Sequence, residues 1–364
     1  YLSKVLPHIF YIRADPFRNP NMNDEIYMRR CIELAANALG NTSPNPLVGS
    51  VVVHKDKIIG EGWHHQAGEP HAEVNAINNV ADRSALSEAT LYVNLEPCAH
   101  QGRTPPCADL IIEMGIPRVV IANGDPFKQV SGKGIHRMES AGIEVKLGVL
   151  QTEGRWLNRR FFTYHEKNRP YVILKWAQSR DGFMDRKRTS PGRQVNWISQ
   201  PETQSLVHQW RTHEDAILIG AGTLRSDNPL LTARSFAGRN PVPVLVSGKE
   251  PLPTDSKLTA NPALLWLTDQ AQPGFTDLEP VTLDSDQHQP EGWLNALYER
   301  GIQSVLVEGG AKILQAFIDR GLWDEARVIT GAVNFGEGLP APIVRAGNKL
   351  EEAFGADQIQ FLYR

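Results

Sequence analysis

The chain has 364 residues and a formal net charge of −3, enough length for two or three domains with separate cores. This balance does not suggest a general nucleic-acid binder, which usually needs a basic face, so a small ligand is expected. Only three cysteines occur, which excludes a disulfide framework and points to a reducing, cytoplasmic setting.

Residues 1–21 carry Pro7, Pro16 and Pro20 and show neither helical nor strand period. They are set apart as an extension that is disordered or not native. No long apolar run precedes a small-residue cleavage site, so neither a signal peptide nor a membrane span is expected. Asn23 or Asp24 then caps a helix with Tyr27, Cys31, Leu34, Ala35 and Ala38 on one stripe and Gly40 as its stop. A buried thiol is the default for Cys31. Residues 48–53 and 58–60 read as a hairpin about the polar turn 54–57. A helix at 71–80, a strand at 90–94, a helix at 106–114 and a strand at 118–122 follow, and a last helix and strand run through Val145. This order predicts a mixed sheet with helices on both faces.

Within that frame His71-Ala72-Glu73 is followed by Glu96-Pro97-Cys98 and Pro106-Cys107. One neutral imidazole and two thiolates balance the charge of Zn²⁺ and leave a fourth tetrahedral position for water, as in a catalytic site. Glu73, two residues beyond a ligand, can reach that water without binding metal and act as general acid and base. His71 is expected at one helix N-terminus and Cys107 at another, whose positive ends favour ionised thiolates. A closed structural zinc site remains open, with His64, His65 or His100 as fourth ligand, but such a site has no use for Glu73.

The arrangement is similar to that of zinc nucleobase deaminases, except that eight residues separate the cysteines; the insert carries His100, Arg103 and Thr104. With Pro70 before His71, the string resembles the deaminase half of the bifunctional riboflavin-biosynthesis deaminase/reductase family. The resemblance implies a cytidine-deaminase-like α/β/α sandwich over residues 22–149. It also implies substrate contacts from Asn45 in Asn45-Pro46-Leu47-Val48-Gly49, and from His64, His100, Arg103 and Asp125.

Residues 150–170 read as a link, amphipathic over 153–162 and punctuated by Asn168-Arg169-Pro170. Beyond it, strands are expected at 171–177, 215–219, 242–246, 263–267, 304–307 and 326–330, and helices at 201–211, 291–300 and 311–320. This alternation predicts a mostly parallel sheet with a nucleotide site at the strand C-terminal ends. Two stretches mark that edge. Glu308-Gly309-Gly310-Ala311 ends a strand and opens a helix, and Gly220-Ala221-Gly222-Thr223 begins a Gly-rich exit that runs on through Asp227 to Arg234.

Together with Lys175-Trp176-Ala177 and Asn196-Trp197, these stretches resemble the reductase half of the same family. That implies a dihydrofolate-reductase-like α/β domain over residues 171–364 that uses NADPH. Ala177, Trp197, Thr223, Asp227 and Gly310 would face NADPH. Arg211, Leu231, Arg234 and Glu308 would face substrate, with Lys175 and Glu308 beside the reacting sugar. The basic stretch 182–195 does not align with the family's substrate contact. The implied activity is zinc-dependent deamination of 2,5-diamino-6-(5-phosphoribosylamino)pyrimidin-4-one, then reduction of its ribosyl chain to ribityl by a homo-oligomer. The alternatives are a nucleic-acid deaminase with a C-terminal half that binds without reducing, and a non-enzymatic zinc module.

Overall fold

The computed structural model describes residues 22–364 except 101–104, 128–130, 188–194 and 271–279. Residues 1–21, the extension set apart above, lie outside the described residues, as do Arg103 and Thr104. The described chain falls into two compact units that part between Lys167 and Asn168.

The first unit opens with helix α1 (Met22–Ala36) and the hairpin β1 (Gly49–His54) and β2 (Lys57–Trp63). Lys55 and Asp56 both take positive φ, 49° and 59°, the conformation a two-residue hairpin turn requires. The sheet order is β2-β1-β3-β4-β5, where β3 is Thr90–Leu95, β4 Arg118–Asn123 and β5 Glu144–Leu147. The hairpin joins β3 antiparallel, and β3, β4 and β5 run parallel.

Side chains alternate across this sheet with the strand period. Val51, Val53, Tyr92 and Val120 pack against Met28, Ile32 and Ala35 of α1. Val52, Leu91, Val93, Val119 and Ile121 pack on the other side with Ala76 and Ile77 of α2 (Ala72–Asn78), Ile111 of α3 (Cys107–Glu113) and Met138 of α4 (Lys133–Ser140). Gly49 permits the close seating of α1, since a Cβ there would meet the Cys31 carbonyl oxygen at 2.1 Å. Within the stretch read as a link, two helices form, α5 (Gln151–Leu157) and α6 (Arg159–Lys167). Phe161 and Phe162 of α6 are buried with Leu95.

The second unit holds a nine-stranded sheet in the order β11-β10-β9-β8-β12-β6-β13-β16-β15. Its parallel part comprises β6 (Tyr171–Gln178), β8 (Ala216–Gly220), β9 (Val242–Ser247), β10 (Leu265–Thr268), β11 (Pro280–Thr282), β12 (Ser304–Val307) and β13 (Glu325–Thr330). Helices α7 (Pro201–His213), α8 (Ala221–Asp227), α9 (Pro290–Tyr298) and α10 (Ala311–Asp319) connect them. Helix α8 occupies what the sequence reads as a Gly-rich exit.

Three strands beyond residue 330 carry no expectation from the sequence. β15 (Asn348–Phe354) and β16 (Asp357–Tyr363) form a hairpin added antiparallel to β13, and β14 (Gly338–Pro340) pairs with β7 (Phe183–Arg186) as a separate ribbon. The parallel arrangement brings the C-terminal ends of β6, β8 and β12 side by side. Residues that follow those ends therefore meet in one place.

Candidate active sites

In the first unit the loop after β3 carries Cys98, α3 begins at Cys107, and His71 precedes α2. His71 Nδ1 lies 3.6 Å from Cys98 Sγ and 3.3 Å from Cys107 Sγ. All three donor atoms fall within 4.8 Å of one another. Ligands at zinc–sulfur and zinc–nitrogen lengths in a tetrahedron would stand about 3.6 Å apart, so the donor set fits a zinc ion. Cys107 donates to Cys98, drawing the Cys98 thiol down to about 4 against its burial, while the same bond and burial push Cys107 up. A divalent cation would replace that shared proton.

Among the described residues no fourth protein ligand joins the trio. Both ring nitrogens of His64 are engaged, Nδ1 with the Pro70 carbonyl at 3.1 Å and Nε2 with Asn45 Nδ2 at 3.0 Å. His65 is exposed and lies 3.9 Å from Glu69, and His100 is exposed. Glu73 is only 3 % exposed. Burial pushes its carboxyl up to about 7, against the pull of His71 and with repulsion from Cys98.

Around this centre His64 and Asn45 form a pair, the His64 ring edge-on to His71 with centroids 5.4 Å apart. Since a carbonyl can only accept, His64 donates from Nδ1, and its bare Nε2 accepts from the Asn45 amide. The Asn45 loop is itself held from α5–α6. The buried Asn158 amide accepts from Leu47 N at 2.8 Å and donates to Leu47 O at 2.8 Å. Asp125 follows β4, and its carboxyl is pushed up to about 6 by burial and by Glu96. Glu96, buried beside it, accepts from Asp125 N at 3.2 Å, Gly132 N at 3.0 Å and Gly134 N at 3.0 Å. Asn158 and Glu96 carry no signal in the sequence, where an asparagine within an amphipathic stretch and an acid before a proline look ordinary.

In the second unit a cavity of about 430 Å³ opens at the C-terminal ends of β6, β8 and β12. Lys175, Ala177, Trp197, Thr223, Asp227, Arg211, Leu231, Arg234 and Glu308 all line it. Gly310 does not: its N–H donates to Thr223 Oγ1 at 2.9 Å, tying the mouth of α10 to α8.

At the cavity's floor Glu308 accepts from Arg211 Nε and Nη2, both at 2.9 Å, and its Oε2 lies 3.5 Å from Lys175 Nζ. Burial alone would raise the Glu308 carboxyl, but the two cations hold it down at about 2. Burial also draws Lys175 down, opposed by Glu308. Arg211 Nη1 donates to Thr232 O at 2.9 Å, so this guanidinium is largely occupied within the protein. His208, Gln204, Met184 and Lys257 also line the wall; a lone histidine inside a helix gives no signal in a sequence. The size suits a small-molecule site, and the apolar Ala177, Trp197 and Leu231 beside the charged floor suit a nicotinamide and a polar substrate.

Two family descriptions match the chain. One is the cytidine and deoxycytidylate deaminase zinc-binding region, over residues 21–123. The other is the RibD C-terminal domain, over residues 170–354. The riboflavin biosynthesis protein RibD of Bacillus amyloliquefaciens is 41% identical over 349 residues, covering 93% of this chain and 92% of its own. Among solved structures, Acinetobacter baumannii RibD superposes with a TM-score of 0.83 at 33% identity, covering 94% of this chain and 98% of its own. The diaminohydroxyphosphoribosylaminopyrimidine deaminase/5-amino-6-(5-phosphoribosylamino)uracil reductase of Thermotoga maritima gives 0.82 at 36% identity, covering 95% and 100%.

Proposed function

The chain belongs to the RibD family of riboflavin biosynthesis proteins, a deaminase and a reductase on one polypeptide, and from that premise we propose how its residues divide the work. The first unit deaminates 2,5-diamino-6-(5-phosphoribosylamino)pyrimidin-4-one. The second reduces the ribosyl chain of the product with NADPH. We assign the deaminase to residues 22–149 and the reductase to residues 171–364.

In the deaminase, His71, Cys98 and Cys107 hold the zinc. Bound there, the ion supplies the Lewis acidity that makes water a nucleophile near neutral pH. Glu73 takes the proton of the attacking water and returns protons to the ring and to the leaving ammonia. Its burial suits that exchange, because a carboxyl whose affinity for protons lies near 7 can both accept and release them. Asn45, with one amide hydrogen committed to His64, offers its carbonyl oxygen to a donor on the pyrimidine. Asp125, within electrostatic reach of His100 and Cys98, is assigned to the substrate together with His100, and Arg103 is assigned with them from the family alone.

In the reductase, Trp197, Ala177, Thr223 and Asp227 seat the nicotinamide cofactor, and Gly310 acts through Thr223. NADPH supplies the hydride for the sugar carbon that bears the amine. Lys175 is the proton source beside that carbon, kept near Glu308 and Arg211, while Leu231 and Arg234 orient the substrate.

The observation that carries this reading is the buried Glu73 beside three donors with zinc-ligand spacing. The test is ammonia release from the diaminopyrimidinone phosphate coupled to NADPH oxidation. Wild type gives both, Glu73→Ala gives neither on that substrate, and Lys175→Ala gives ammonia alone. Ammonia release from Glu73→Ala at the wild-type rate would overturn the assignment.

No helix among the described residues is long and apolar enough to cross a membrane. The small number of cysteines favours a cytoplasmic setting and the near-neutral charge favours small phosphorylated pyrimidines over nucleic acid; a homo-oligomer is carried over from the family alone.

A further inference from the structure

His208 lies on α7 three residues before Arg211, is 7 % exposed, and lines the reductase cavity. The N–H of Ser235 donates to its Nδ1 at 2.9 Å. A nitrogen that accepts a backbone N–H carries no proton, so in the neutral ring the proton resides on Nε2. Burial, Arg211 and Arg234 draw the imidazole down to about 4, which keeps it neutral. The ring is thereby locked as an acceptor toward the 231–235 loop and a donor at its other nitrogen.

The charged side chains lining the cavity are Lys175, Arg211, Arg234 and Lys257 against the carboxylates of Glu308 and Asp227. Four cations against two anions leave a surplus of two positive charges, which suits a dianionic phosphate monoester. Arg211 is already spent on Glu308 and Thr232 O, whereas Arg234, beside the Ser235 whose N–H binds His208, is exposed on the cavity wall.

We propose that His208 is a specificity-determining residue of the reductase: its Nε2–H donates to a phosphoryl oxygen of the sugar phosphate, while its Nδ1 holds in register the loop that presents Arg234. This rests on the reductase reading of the cavity. The second role follows from the same loop's other ties, since Arg211 Nη1 donates to Thr232 O and Ala233 N donates to Asn240 Oδ1. Two substitutions separate the roles. His208→Asn keeps an oxygen where Nδ1 stood and loses the outer donor. His208→Gln keeps a donor where Nε2 stood and loses the acceptor for Ser235.

The experiment is equilibrium binding of ribose 5-phosphate and of unphosphorylated ribose to the full chain without cofactor. Ammonia release by the first unit serves as the control for intact protein. His208→Asn is expected to weaken ribose 5-phosphate binding about tenfold or more and to leave ribose unchanged, while His208→Gln, which releases the loop but keeps the donor, weakens it by a smaller factor of about three. In turnover, His208→Asn raises KM for the deaminated intermediate far more than it lowers kcat. Wild-type affinity in His208→Asn, equal losses in both variants, or an equal loss for ribose would each overturn the proposal. If the wild-type chain binds neither NADPH nor ribose 5-phosphate, the reductase reading itself falls and takes the proposal with it.

Discussion

Replacing Glu308 by glutamine tests the charge arrangement at the reductase floor. The carboxylate accepts two 2.9 Å bonds from Arg211 and lies 3.5 Å from Lys175, with its side chain 9 % exposed. Its shift from 4.5 to about 2 corresponds to about 3 kcal/mol of folding stability, within the range for breaking a buried ion pair. The sign follows from a depressed acid: the contribution is complete above the unfolded value of 4.5 and is lost as pH falls through about 2. The assay is thermal unfolding of the full chain at several pH values, with the second unit's transition identified by its rise when NADPH is added. At pH 7 the variant's transition should lie about 6–12 °C below wild type, for a unit of this size. The gap should close as both proteins are taken from pH 5 toward pH 2. A gap under about 2 °C at pH 7, or one that keeps its size at low pH, would refute the reasoning.

Three further outcomes are expected. Glu73→Ala should lower ammonia release by about 10²-fold or more while zinc content, read by metal analysis, stays at one ion per chain. Asn158→Ala strands the N–H and C=O of Leu47, at about 1–3 kcal/mol, and should raise the deaminase KM through the Asn45 loop without altering NADPH affinity. Thr223→Val removes the acceptor for Gly310 N–H; NADPH titration should show binding weakened about tenfold, with the pyrimidine phosphate still deaminated.

The zinc site could be read from the chain because its chemistry depends on residue type: one imidazole, two thiols and an acid that no structural site needs. Much of the sheet could be read for a similar reason, since runs such as Val51–Val53 and Val305–Val307 are buried on both faces and show as apolar strings. The C-terminal hairpin could not. β15 alternates exposed Lys349, Glu351 and Ala353 with half-buried neighbours at an open sheet edge, so its sequence resembles a loop. Helix α8 was hidden by two glycines, Gly220 and Gly222, that read as turn residues though the chain coils there. Asn158, Glu96 and His208 escaped notice because each acts through a hydrogen bond to backbone far away in sequence. The polarity of His208 exists only once Ser235 is placed against it.

The deaminase chemistry requires zinc coordinated by His71, Cys98 and Cys107 with Glu73 left off the metal. X-ray absorption at the zinc edge, recorded on wild type and Glu73→Ala, measures it. The expected shell has two sulfurs at about 2.3 Å and two lighter atoms at about 2.0 Å, the same in both proteins. A shell with fewer than two sulfurs, or one that loses a light atom when Glu73 is removed, would contradict it.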